Sequence, residues 1–180
     1  MRRITLLAAF AATVLLLAAP PARAAGGFTG LDLMTATVFQ EGQSSFSGLG
    51  IRFKLTDARL IEGFEILPTV EYWRNSSTVE AFGLRAVRRD ATLSSDARWL
   101  FPGDAWRFYA GGGLAVHFLS NEVSLPGLRG NDSLTKGGVT LLGGVSFGSQ
   151  ARFGNFLEAK AHLVGGYRQL KINMGLSWNR

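Results

Sequence analysis

From Phe28 onward, large apolar residues return at every second position of this chain. The stretch Ala105–Leu119 shows the pattern most plainly. Trp106, Phe108, Ala110, Gly112, Leu114, Val116 and Phe118 share one face, and Arg107, Tyr109, Gly111, Gly113, Ala115, His117 and Leu119 share the other. A period of two is the repeat of a β-strand with one apolar face and one mixed face. The run is long for a soluble strand and close to the length that crosses a bilayer at a tilt.

The alternation recurs along the chain. Leu49, Ile51, Phe53 and Leu55 oppose Gly50, Arg52, Lys54 and Thr56, and Ile66, Pro68, Val70 and Tyr72 oppose Glu65, Leu67, Thr69, Glu71 and Trp73. Leu93, Ala97, Trp99 and Phe101 oppose Thr92, Ser94, Asp96 and Arg98. Val139–Phe147 and Phe153–Val164 alternate likewise, the second placing Glu158, Lys160 and His162 together. Near the C-terminus Leu170, Ile172, Met174, Leu176 and Trp178 oppose Lys171, Asn173, Gly175, Ser177 and Asn179. The signal is weakest over Phe28–Gln40, where Leu31 and Leu33 stand opposite Asp32. Eight strands follow, at about 28–40, 46–56, 63–74, 91–101, 105–119, 137–148, 153–164 and 168–178.

The connections sort into two classes. Asp57–Glu62, Pro102–Asp104 and Ser149–Arg152 are short, whereas Asn75–Asp90 and Ser120–Lys136 are long and rich in polar and turn residues. Tight turns at one end and longer loops at the other are the asymmetry of an outer-membrane barrel, with both termini on the periplasmic side. Gly165-Gly166 is a tight connection on the outer side.

Ahead of the strands lies an export signal. Arg2 and Arg3 precede an apolar run, Ile4–Ala18; Pro20 and Pro21 break it, and Ala22-Arg23-Ala24 supplies small residues for cleavage after Ala24. The domain reading is therefore a cleavable signal peptide, 1–24, and one barrel, 25–180. Removing residues 1–24 leaves 156 residues. Arg2, Arg3 and Arg23 leave with it, so 16 basic against 13 acidic side chains give a net charge of +3. With no Lys/Arg-rich run, nothing points to nucleic acid. No second apolar run is long enough for a transmembrane helix, which excludes a helical inner-membrane protein. Cysteine is absent, so no disulfide framework supports the exported fold.

Alternation alone does not say whether the apolar face points into a soluble barrel or out into lipid. Three features favour lipid. Aromatic residues gather near strand ends, with Phe64, Phe101, Trp106, Phe108, Phe147, Phe153 and Trp178 toward one rim and Phe39, Phe46, Tyr72, Phe118 and Tyr167 toward the other, as paired interfacial girdles require. The mixed face carries both charge signs, so it can neutralise itself within a lumen. Glycine is frequent inside strands, as in Gly111-Gly112-Gly113, where closed barrels use it for bends and close approach.

On these residues the chain resembles the broad family of small eight-stranded bacterial outer-membrane barrels, over residues 26–180. The closing stretch Tyr167–Trp178 resembles the C-terminal signal read by the outer-membrane insertion machinery, although Asn179 and Arg180 follow the final aromatic. The resemblance implies an all-β, eight-stranded antiparallel up-and-down transmembrane barrel in the outer membrane; a monomer is expected.

Candidate chemistry is sparse. Arg52, Lys54, Glu65, Glu71, Asp96, Arg98, Arg107, His117, Glu158, Lys160, His162 and Lys171 form the expected lumen charge network. An eight-stranded barrel is filled by its own side chains, so no open channel is expected. Lipid A deacylases are similar barrels with a His-x-Ser pair; here His162 is followed two residues on by Val164, so the nucleophile is missing. His117 and Ser120 fall on opposite faces of their strand. His117, His162 and Glu158 make a weak metal set, for which ion-pair packing is the better reading. No cofactor is expected. By elimination, function falls to the outer loops, where Arg85, Arg88 and Arg89 offer a contact for anionic lipopolysaccharide. The reading is a non-enzymatic barrel acting structurally or through its loops. The alternative is a lipid-binding or lipid-modifying barrel, or a soluble lipocalin-like carrier.

Overall fold

The structure, a computed structural model, describes residues 26–41, 43–57, 62–79, 83–125, 128–148 and 151–180. The proposed signal peptide lies outside the described residues. Eight strands follow in order: β1 (Gly26–Gln40), β2 (Phe46–Asp57), β3 (Phe64–Val79), β4 (Leu84–Leu100), β5 (Trp106–Leu125), β6 (Leu128–Phe147), β7 (Phe153–Val164) and β8 (Tyr167–Asn179). Each pairs antiparallel with its sequence neighbours, and β1 pairs with β8 to close the barrel. A register shift between Phe28 and Gly30 marks a bulge in β1.

The faces are inside-out relative to a water-soluble barrel. Leu49, Leu114, Leu141, Met174 and Leu176 are exposed on the outer face, Leu114 by 70%. Arg52, Glu71, Asp96, Glu158, Lys160 and Lys171 are buried inside. An apolar outer wall needs an apolar surrounding, and a closed ladder leaves no unpaired edge within it.

Small residues let the walls meet. A Cβ on Gly113 would lie 2.1 Å from the Ser95 carbonyl oxygen, and one on Gly111 would lie 2.1 Å from that of Ala97. Only glycine allows β5 to pass this close to β4. Gly166 turns β7 into β8 at φ 96°, a conformation that favours glycine.

Two expectations are corrected. Asn75–Asp90 and Ser120–Lys136 are not long loops. Most of both stretches continues the β3–β4 and β5–β6 ladders, which pair as far as Val79↔Leu84 and Leu125↔Leu128. These extensions lack the apolar alternation that marks the wall below, so their sequence reads as loop while their backbone still ladders. Phe46 and Tyr167, assigned to an interfacial girdle, instead turn inward. Phe46 shares the strand parity of Arg52, and Tyr167 that of Lys171. Outward aromatics meet at the opposite rim, Trp106 on Phe147 at 4.9 Å between ring centroids and Phe28 on Trp178 at 5.8 Å.

The wall is uneven. β6 pairs with β7 only from Gly138 onward, and the ladder of β2 with β3 reaches no further than Trp73. Beyond these points β3, β4, β5 and β6 continue as a four-stranded sheet above the short β1–β2 and β7–β8 connections. Among the described residues, its outer strands, Arg74–Val79 and Leu128–Gly137, are laddered on one side only.

Candidate functional site

The lumen is built from cross-strand pairs, because inward side chains on neighbouring strands lie directly opposite one another. Nearest the rim that carries the termini, Glu65 on β3 faces its register partner Arg98 on β4, with Nη2 of Arg98 2.6 Å from the carboxylate. The Arg98 guanidinium also lies 4.5 Å from the centre of the Tyr109 ring. Next inward, Arg52 donates from Nη2 to Glu158 and lies 3.7 Å from Asp32, which Lys54 approaches at 3.2 Å. Asn173 donates a second hydrogen bond to Glu158 at 2.9 Å. A cavity of about 60 Å³ opens here, lined by Asp32, Lys54, Glu65, Arg98, Arg107 and Ser177.

Further along the lumen, Lys160 on β7 and Lys171 on β8 are register partners, two cations directly opposed. Glu71 from β3 lies across both, accepting from Lys171 Nζ and lying 3.4 Å from Lys160 Nζ. Lys160 also donates to Asp96 at 2.8 Å and to Ser94 at 3.0 Å, and Thr140 donates to Asp96. A cation pair that would repel is thereby held by carboxylates.

Toward the tall rim the two histidines meet. Nδ1 of His117 lies 2.8 Å from Asp90 Oδ2, which places a ring proton on that nitrogen. Nε2 of His117 lies 3.2 Å from Nδ1 of His162, whose Nε2 lies 3.7 Å from Glu71. Asp90, His117, His162 and Glu71 thus link β4, β5, β7 and β3 across the lumen. Above them Val38, Phe46, Trp73 and Leu119 form a buried apolar plug, with Phe46 on Trp73 at 4.5 Å and Tyr167 packed alongside.

Eleven of the twelve expected network residues enter these contacts. Arg107 stands apart: it is half-buried at the rim and donates from Nε to the Gly103 carbonyl. The weak metal set does not assemble, since Glu158 pairs with Arg52 while the histidines turn to Asp90 and Glu71. Among the described residues, no cluster of three or more His, Cys, Asp or Glu side chains is arranged to hold a metal ion. Sequence reasoning missed Asp32, Asp90, Ser94, Thr140 and Asn173. Asp90 closes a stretch whose composition reads as loop, yet it shares the strand parity of Asp96 and Arg98. Among the described residues, hydroxyl groups meet basic side chains at Ser94, which accepts from Lys160, at Ser177, which accepts from Lys54, and at Thr92, whose Oγ1 lies 3.0 Å from His117 Nδ1.

The three arginines read as a lipopolysaccharide contact do not share a face. Arg88 turns inward, with its guanidinium 5.8 Å from the centre of the Tyr167 ring. Arg85 and Arg89 point outward. Arg89 pairs with Glu122 at 3.2 Å, both side chains being about 40% exposed. Its register partner on β3 is Arg74, which is also exposed.

No family model and no curated protein matches the chain. Solved structures do. Ail of Yersinia pestis, in complex with the heparin analogue sucrose octasulfate, superposes with a TM-score of 0.61 at 8% identity, covering 86% of this chain and 98% of that one. Neisserial surface protein A gives 0.58 at 15% identity over 86% and 99% of the two chains. The N-terminal β-barrel domain of Pseudomonas aeruginosa OprF gives 0.53 at 15% identity over 86% and 100%. The chain is similar to these barrels along nearly their whole length, and its fold is that of the small outer-membrane barrels.

Proposed function

We propose that this chain is a monomeric, non-enzymatic outer-membrane barrel that acts through the sheet standing above its wall. The observation that carries the reading is the uneven wall itself, in which β3 to β6 outgrow the rest and end in two strands laddered on one side only. Longer hairpins mark the extracellular end of such barrels, so this sheet faces outward and the termini face the periplasm. An open strand edge offers backbone N–H and C=O groups to an extended polypeptide partner.

The lumen supports a structural role. The apolar plug and the ion-paired interior leave it filled, as an eight-stranded barrel requires. The pairs hold neighbouring and opposite strands in one register. The insertion machinery has the outward alternation of β8 to read, Leu170, Met174, Leu176 and Trp178.

A test is available on the cell surface. Cells displaying the whole chain are compared with cells displaying a version in which Asn121–Asp132 is replaced by a two-residue Asn-Gly turn, on surfaces coated with heparin, collagen, fibronectin or laminin. Adhesion lost on shortening, with membrane insertion intact, is the expected result. Equal adhesion of the two on every surface overturns the reading.

A further inference from the structure

Inside the barrel, a directly opposed cation pair recurs with its answer beside it: Lys160 and Lys171 are register partners, and Glu71 lies across both. The outer face carries the same arrangement without an equivalent carboxylate. Arg74 on β3 and Arg89 on β4 are register partners with both side chains outward. Directly opposed residues in an antiparallel pair hold their Cβ atoms about 5 Å apart, where like charges are destabilising. Glu122 takes one guanidinium, that of Arg89, at 3.2 Å. Among the described residues neither Arg74 nor Arg85 has an ion-pair partner, so three arginines face one carboxylate on this patch.

The depth of the pair is set by its neighbours. Tyr72 is exposed on the same face of β3, two residues before Arg74, and Phe118 on β5 sits level with it through Ala91. Aromatic residues at this position mark the membrane interface. Two residues of strand rise about 7 Å, which carries Arg74 and Arg89 from the aromatic level to the headgroup level. Two planar guanidinium forks side by side suit an oxyanion with several acceptor oxygens, because each fork binds two of them.

We propose that Arg74 and Arg89 form a clamp for a phosphate group on an outer-leaflet lipid of the barrel's own membrane, lipid A being the lipid that presents phosphate there. The anion supplies across the two arginines what Glu71 supplies across the two lysines, and Glu122 fixes the Arg89 fork in place. Arg85, four residues further along β4, extends the patch away from the membrane. The proposal rests on the reading of the chain as an outer-membrane barrel.

The test titrates the folded protein, in neutral detergent micelles, with phosphorylated lipid A and with the same lipid after enzymatic dephosphorylation. Inositol hexakisphosphate serves as a soluble competitor. The expected result is binding of phosphorylated lipid A about tenfold weaker in the double variant Arg74→Gln/Arg89→Gln. Dephosphorylated lipid A binds both proteins equally weakly, and the charge-matched control Arg152→Gln/Arg168→Gln binds as the unaltered protein does. Equal affinity of the double variant and the unaltered protein overturns the clamp, as does an equal loss in the control. Displacement of lipid A by inositol hexakisphosphate at matched phosphate concentration overturns the lipid as the occupant. Gel mobility of boiled and unboiled samples separates these failures from failure of the barrel reading, which alone abolishes the heat-dependent shift.

Discussion

Glu71 is the side chain on which most of the lumen converges, since it meets Lys160, Lys171 and His162. Removing its charge leaves Lys160 with Asp96 and, among the described residues, leaves Lys171 without an ion-pair partner. Breaking a buried pair in this way costs about 3–5 kcal/mol. Glu71→Gln is therefore expected to lower the unfolding free energy of the folded barrel by that amount, seen as a lower urea midpoint with the mobility shift as readout; an unchanged midpoint refutes the role given to Glu71. Gly113 is the steric counterpart. Gly113→Val places a Cβ against the Ser95 carbonyl and is expected to destabilise by about 1–3 kcal/mol or more, by the same measurement. Parity along each strand made the inward charges legible in the sequence. The partners were not legible, because they depend on how far each strand is displaced along its neighbour. Arg52 and Glu158 lie 106 residues apart, and no local pattern joins them. Asp32 was overlooked because β1 carries the weakest alternation and a bulge.

At the scale of the element, strand existence was readable wherever a hydrophobic face repeats, and unreadable where the strand leaves it. Above Trp73 and Leu119 the residues are mostly polar on both faces, so Asn75–Asp90 and Ser120–Lys136 carry a loop signature over a laddered backbone. Because Ser120 and Ser133 are register partners, replacing the twelve residues between them with an Asn-Gly turn closes the ribbon one pair above Leu119↔Leu134. The shortened protein is expected to keep the heat-dependent shift and midpoint of the parent. Loss of the shift would mean that the upper ribbon is needed to build the barrel and is not only carried by it.

The whole molecule is organised by one inversion, an apolar outer wall around a charged interior, closed at the tall end by Val38, Phe46, Trp73 and Leu119. A filled lumen is expected to show no sustained conductance in planar bilayers, and steady channel openings from the purified protein would contradict the plug. The inversion itself is tested most directly by spin labels, since the chain contains no cysteine and each introduced one reports alone. Single cysteines placed in turn at Val139 through Ser146 on β6, in bilayers, are scanned for accessibility to oxygen and to a water-soluble nickel complex. The barrel described above requires oxygen accessibility to peak at Val139, Leu141, Gly143 and Val145, with the nickel complex excluded there. Peaks of nickel accessibility at those same positions would place water against the apolar wall and contradict the membrane barrel.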